Sequence, residues 1–187
     1  MTRAEAVALV LSRLPDDDVV VAADGAISRE AYRAHDRLRT FYMLGSMGQV
    51  AAIALGLATA RTERVVALDG DGNVLMGFGG LAMVGGLKPA NLFHVVLDNG
   101  CYATTGGQPA LSREVDLAAA AAAVGYRWAR RCGPGEDAAA SVDAWLAAPG
   151  PAFLNLAVET ADPAPAPRVP MTPEEMAGRV RAALTPK

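Results

Sequence analysis

The stretch LDGDGNVLMGFGG, from Leu68 to Gly80, decides how the rest of the chain is read. The residues leading into it, RVVAL (64–68), form a short apolar run rich in β-branched side chains, which predicts a buried strand. From Asn73 to about Gly86 the apolar residues continue as a helix. Two carboxylates, Asp69 and Asp71, stand where strand gives way to helix, with Gly70 and Gly72 beside them. Gly-Asp-Gly by itself is a common turn. Placed at the end of a buried strand, it can equally be a binding site.

The flanking sequence repeats the alternation. Thr2 and Glu5 form a capping-box pattern ahead of apolar positions that run as a helix to Leu14. VVVAA (19–23) reads as a buried strand, Ser28 to Asp36 as a polar helix and TFYML (40–44) as a strand. GQVAAIALGLATA (48–60) reads as an apolar helix and NLFHVVL (91–97) as a strand. A Gly/Thr-rich loop at 99–110 precedes a helix (115–124), a strand (126–130), a helix (136–147) and the strand AFLNLAV (152–158). ADPAPAPRVP (161–170) is a Pro-rich connector, and Thr172-Pro173-Glu174-Glu175 caps a last helix over 172–184. Strands that are apolar on both faces and alternate with helices predict an α/β fold, doubly wound, with a mainly parallel sheet covered on both sides. The whole chain, 1–187, reads as one domain. In such sheets ligands bind at the carboxyl ends of the strands.

The totals narrow the partners. With 187 residues, 52% apolar and 20% charged, the chain can bury a full core. A net charge of −3 with no Lys/Arg cluster argues against nucleic acid. Apolar runs are short or broken, so no membrane span is expected. The segment MTRAEAVALVLSRLPDDD lacks a signal-peptide pattern. Two cysteines, Cys101 and Cys132, do not make a disulfide framework. A reduced, cytoplasmic protein is the expectation.

Asp71 and Asn99 carry the chemistry. They lie 28 residues apart, with one helix and one strand between them, the length of a parallel crossover. Such a crossover sets the two strand ends side by side. A carboxylate, an amide oxygen and a nearby carbonyl suit a small hard cation such as Mg²⁺, whose remaining positions phosphates commonly fill. Gly70 and Gly72 would admit such phosphates to the backbone, and the following helix start favours their charge.

Gly-Asp-Gly, about 27 residues, then an Asn closing an apolar strand resembles the thiamine-diphosphate motif. The chain from roughly 15 to 160 resembles the diphosphate-binding domain of thiamine-diphosphate-dependent 2-oxo acid decarboxylases. The stretches SRE (28–30), FYMLGSMG (41–48) and DNGCYATTGGQ (98–108) resemble the sulfopyruvate and phosphonopyruvate decarboxylases among them. Asp98-Asn99 replaces the Asn-Asn common elsewhere in the family.

The resemblance implies Mg²⁺ ligands Asp71, Asn99 and the Cys101 backbone carbonyl. It implies a cofactor site made of Gly45, Ser46, Met47, Gly70, Asp71, Gly72, Asn73, Asn99, Tyr102, Ala103 and Thr104. Gly45 would accept from the aminopyrimidine, and Met47 would be the wedge that bends the cofactor. Gly72 and Asn73 would hold diphosphate oxygens, although Ser is the usual residue at 73. Thr104, Thr105 and Gln108 are candidates for an anionic substrate.

The family's catalytic glutamate lies on a pyrimidine-binding domain, for which this chain has no room. The resemblance therefore implies the β-type subunit of a split enzyme, completed by a pyrimidine-binding (α-type) partner in a hetero-oligomer. The expected substrate is an anionic 3-substituted pyruvate, sulfopyruvate or phosphonopyruvate, giving the aldehyde and CO₂. Another split thiamine-diphosphate enzyme, such as an acetolactate-synthase-like carboligase, is an alternative. So is a non-catalytic doubly wound binding module. Three local expectations complete the reading. His94 is a satisfied core histidine, Asp69 has no assignable role, and Arg29, Glu30, Arg33, Asp36, Arg37 and Arg39 form a solvated face.

Overall fold

The computed structural model describes residues 1–160 and 166–185. Its centre is a sheet of six parallel strands: β1 (Val19–Ala22), β2 (Thr40–Tyr42), β3 (Val65–Gly70), β4 (Leu92–Asp98), β7 (Trp128–Cys132) and β8 (Ala152–Ala157). Their spatial order is β2-β1-β3-β4-β8-β7. A separate two-stranded antiparallel ribbon joins β5 (Cys101–Tyr102) to β6 (Gln108–Pro109). The helices are α1 (Arg3–Ser12), α2 (Ala26–Ala34), α3 (Val50–Ala60), α4 (Asp71–Met76), α5 (Gly79–Leu87), α6 (Leu117–Val124), α7 (Ala138–Ala147) and α8 (Pro173–Leu184).

Burial explains why the strands read as unbroken apolar runs. Every residue of β1 is buried, as are all but the last residue of β3, β4 and β8. The chain runs from β1 outward to β2, then crosses back to place β3 on the other side of β1. This reversal is the switch point, where the connections leave in opposite directions and open a crevice. Pairing of Val65 with Leu92 through Gly70 with Leu97 fixes the register of β3 and β4. The ends of these two strands therefore lie side by side, as the 28-residue interval predicted.

The capping boxes at Thr2/Glu5 and Thr172/Glu175 both form. Of the expected connector at 161–170, residues 161–165 lie outside the described residues. Among the described residues no helix is long and apolar enough to cross a membrane.

Two expectations are corrected. The single helix expected from Asn73 to about Gly86 is two helices, α4 and α5, separated at Gly77 and Phe78. The cause is a backbone-to-backbone approach: a Cβ on Gly77 would lie 1.9 Å from the Gly48 carbonyl oxygen. Nor is the charged run 29–39 a uniform solvated face. Glu30 is buried and accepts two hydrogen bonds from Arg3, from Nε and Nη2, each 2.9 Å long. Arg37 is buried too, and its guanidinium donates to the carbonyls of Leu14, Pro15 and Asp18. A charge run on a sequence does not reveal that a distant helix brings its counter-charge.

Candidate functional site

A cavity opens at the carboxyl ends of β1, β3 and β4, at the switch point. It is lined by Asp24–Ile27 after β1, Gly70–Asn73 after β3, and Asn99, Cys101, Tyr102, Ala103 and Thr104 after β4, with Arg3, Ala23, Met47 and Leu97. The structure thus gathers Met47, Gly70, Asp71, Gly72, Asn73, Asn99, Cys101, Tyr102, Ala103 and Thr104 around one space. Gly45 and Ser46 face a different, apolar groove beside Ile53 and Met176. Thr105 and Gln108 do not line the cavity. They bond each other instead: the Thr105 hydroxyl donates to Gln108 Oε1 (3.1 Å) and Gln108 Nε2 to the Thr105 carbonyl (2.8 Å).

Asp71 sits in a ready-made web of donors. Its Oδ2 accepts from the Gly100 amide (3.1 Å) and from the Ser112 hydroxyl (2.8 Å). Ser112 is also 2.9 Å from Asp98 Oδ1, so one hydroxyl stands between two carboxylates. Asp98 further accepts from the Gly100 amide (3.1 Å) and from Asn155 Nδ2 (2.9 Å). Asn99 Oδ1 accepts from the Cys101 amide at 3.1 Å, which folds the 99–101 turn inward. Burial pushes the Asp71 carboxyl up to about 6, against the pull of the Ser112 hydroxyl, and neighbouring Asp98 adds to the rise. A cation held at this point would reverse that push, because it favours the charged carboxylate.

The donor set fits a hard divalent ion. A carboxylate, a carboxamide oxygen and a main-chain carbonyl offer oxygen only, the preference of Mg²⁺ and Ca²⁺. Among the described residues no group of three or more His, Cys, Asp or Glu side chains converges as a metal cluster. Any ion here would depend on the mixed set that Asp71, Asn99 and Cys101 present.

The glycines have a more local reason than the sequence offered. A Cβ on Gly72 would lie 2.3 Å from the Tyr102 ring, so the absent side chain is where that aromatic packs. Gly70 would meet Ile27 Cδ1 at 3.3 Å. The turn at 45–48 is unusual in its backbone. Ser46 has φ of 65° and Gly48 of 85°, and a non-glycine residue in the left-handed region needs surroundings that hold it there.

Asn73 supplies part of that hold. Its Oδ1 accepts from the buried Gly48 amide, and its Nδ2 donates to Asp69 Oδ1 at 2.6 Å. Asp69 also accepts from the Gly70 amide at 2.8 Å, and its Oδ2 lies 3.1 Å from His94 Nε2. His94 Nδ1 in turn lies 3.2 Å from the Tyr126 hydroxyl. A polar chain therefore runs from Tyr126 in the core, through His94, Asp69 and Asn73, to the turn that carries Met47. His94 is fully buried with both ring nitrogens partnered, as a satisfied core histidine should be. Asp69, to which the sequence assigned nothing, is the hub of this chain.

Sequence reasoning missed Ser112, Asp24 and Arg3. Ser112 lies 41 residues from the carboxylate it serves, in no recognisable motif. Asp24 was readable in principle, since it directly follows a buried strand. Arg3 reaches the cavity from α1 through its ion pair with Glu30, and nothing local announces that.

Comparison with known proteins gives a consistent picture. Residues 25–156 match the model of the thiamine pyrophosphate enzyme, C-terminal TPP binding domain. Phosphonopyruvate decarboxylase of Streptomyces viridochromogenes is 45% identical over 184 residues, covering 98% of this chain and 46% of that protein. Sulfopyruvate decarboxylase subunit beta of Methanothermobacter thermautotrophicus is 40% identical over 179 residues, covering 96% of this chain and 93% of that subunit. The chain spans about half the length of the phosphonopyruvate decarboxylases it matches. Among solved structures, the thiamine diphosphate-dependent 4-hydroxybenzoylformate decarboxylase of Rhodococcus jostii RHA1 superposes with a TM-score of 0.72 at 22% identity. That match covers 85% of this chain and 33% of the other.

Proposed function

The chain belongs to the thiamine pyrophosphate enzymes, as a C-terminal TPP-binding domain, and from that premise we propose that it is the diphosphate-binding half of a 2-oxo acid decarboxylase. One observation carries the proposal. Asp71, Asn99 and Cys101 meet at the ends of neighbouring parallel strands, in one cavity with Met47. Asp71, the Asn99 side-chain oxygen and the Cys101 carbonyl would hold Mg²⁺. Gly72, Asn73 and the Tyr102–Thr104 turn would border the diphosphate, and Met47 would back the aminopyrimidine. When bound, thiamine diphosphate supplies the electron sink that takes up the pair released as CO₂ leaves a 2-oxo acid.

This chain's residues bind and orient. The polar chain from Tyr126 to Asn73 fixes the turn behind Met47, and Ser112 with Gly100 keeps Asp71 pointed at the strand gap. The proton-handling carboxylate that the family requires would come from a pyrimidine-binding partner subunit. Relatives named as a subunit beta support a two-chain enzyme, as do phosphonopyruvate decarboxylases about twice as long as this chain. The substrate would be an anionic 3-substituted pyruvate, phosphonopyruvate or sulfopyruvate.

The test is calorimetric and then kinetic. With its partner, the chain should bind thiamine diphosphate only when Mg²⁺ is present, and Asp71→Ala should remove that binding. The assembled pair should release CO₂ from a 3-substituted pyruvate, and the isolated chain should not. Undiminished binding by Asp71→Ala would refute the site, and normal turnover by the isolated chain would refute the two-chain reading.

A further inference from the structure

A second groove adjoins the cofactor cavity, and Gly25 lines both. Its walls are Ser28 and Arg29 of α2, Met43 and Leu44 after β2, and Arg168, Val169 and Met171 of the segment leading to α8. Its volume is about 420 Å³, within the roughly 300–1,000 Å³ usual for small-ligand sites. Among the described residues no acidic side chain lines it, yet two arginines do. Arg29 is half-buried. Arg168 is exposed, and neither arginine has an ion pair among the described residues. Two guanidiniums sharing one groove without a counter-charge repel each other, and an anion between them relieves that repulsion. The Ser28 hydroxyl spends its proton on the Ala22 carbonyl at 3.0 Å, so the donors the groove offers an anion are those of the two arginines.

We propose that Arg29 and Arg168 form an anion subsite that holds the tetrahedral XO₃ group, phosphonate or sulfonate, at C3 of the substrate. This rests on the reading of the chain as half of a decarboxylase. The chemistry decides which of the substrate's two anions belongs here. A guanidinium clamped on the departing carboxylate would stabilise the charge that must be lost, and so oppose the reaction. The group that stays through the reaction can be held tightly without that penalty. Arginine's planar fork presents paired N–H donors to two oxygens of such an anion. Met43 and Leu44 lead directly into the Gly45–Met47 turn, so the subsite borders the wall assigned to the aminopyrimidine.

The test has two arms. In the assembled enzyme, Arg29→Gln and Arg168→Gln should each raise KM for phosphonopyruvate or sulfopyruvate about tenfold or more, the value of one charged hydrogen bond. Turnover of pyruvate, which lacks the C3 anion, should not change. Arg29→Lys should recover part of the loss. The two XO₃ substrates, run side by side, distinguish phosphonate from sulfonate. In the second arm, the ¹⁵N-labelled chain is titrated with phosphonoacetate and the arginine Nε–Hε signals are followed. Saturable shifts at Arg29 and Arg168 are expected. Their absence overturns the subsite whether or not the assembled pair decarboxylates anything, and equal losses on pyruvate and on the charged substrates overturn it as well. Lack of turnover with intact shifts would instead count against the decarboxylase reading alone.

Discussion

Replacing Asn73 with alanine should loosen the turn behind the cofactor cavity and lower the stability of the chain measurably. Asn73 is buried and uses both ends of its amide, donating to the Asp69 carboxylate and accepting from the Gly48 amide. The substitution deletes a hydrogen bond to a charged acceptor, worth about 1.5–3 kcal/mol, and leaves the buried Gly48 N–H unsatisfied, at about 1–3 kcal/mol. Asp69 retains the Gly70 amide and His94, so part of the loss is absorbed, and a total near 3 kcal/mol is expected. For a chain of this size that is a fall in Tm of about 6–12 °C. Differential scanning calorimetry of the two proteins in the same buffer reads it directly. Asn73→Ser, whose hydroxyl reaches one partner but not both, should fall between. Because Ser46 and Gly48 depend on this clasp for their left-handed conformations, Asn73→Ala should also weaken binding of thiamine diphosphate. A Tm within about 2 °C of the parent would show that the clasp is dispensable, and the role assigned to the Tyr126–His94–Asp69–Asn73 chain would be wrong.

Other changes follow from the same structure. Glu30→Gln removes the buried carboxylate that accepts from Arg3 Nε and Nη2 and should cost about 1–3 kcal/mol, visible as a lower denaturation midpoint in urea. Gly85→Ala would put a Cβ 2.2 Å from the Val124 carbonyl oxygen. The overpacking should cost at least about 2 kcal/mol despite alanine's better helix propensity, and a gain in Tm would contradict the close contact of α5 with the end of α6. Arg179 holds the Asp36 carboxyl below the usual carboxylate range and ties α8 to the end of α2. A carboxyl with a depressed folded-state pKa contributes stability above its ordinary pKa and loses it as pH falls through the folded value. The Tm difference between the parent and Arg179→Met should therefore be largest above about pH 4 and shrink in more acidic buffer.

The sequence made the sheet legible because its strands are buried on both faces. A run such as VVVAA leaves little choice of environment, and the intervals between runs have the length of parallel crossovers. Asp71 and Asn99 were legible for the same reason, since each ends such a run. What escaped was set by contacts between distant segments. Nothing within NVLMGFGG says that Gly77 must admit the Gly48 carbonyl, so the break between α4 and α5 could not be read. Ser112 could not be found because its partner is chosen by the path of the loop, and Asp69 looked idle because its partners, His94 and Asn73, are determined by strand register and a helical turn. Met47 lines the cavity, but Gly45 and Ser46, its immediate neighbours, turn toward another groove. A turn with left-handed residues sends consecutive positions in different directions, and adjacency in sequence does not predict it.

The bonds from Gly100 and Ser112 to Asp71 have a consequence for how the site is loaded. They already span the gap between the ends of β3 and β4, so the fold does not wait for a cation to draw those ends together. The ordering of the 98–101 turn is completed when the chain folds, and little of it remains to be done at binding. An incoming ion would exchange partners with a carboxylate that is already aimed, and its affinity would report the quality of that exchange rather than the cost of organising the loop. Newly made chain should thus be able to form the 98–101 turn whether or not the ion is supplied.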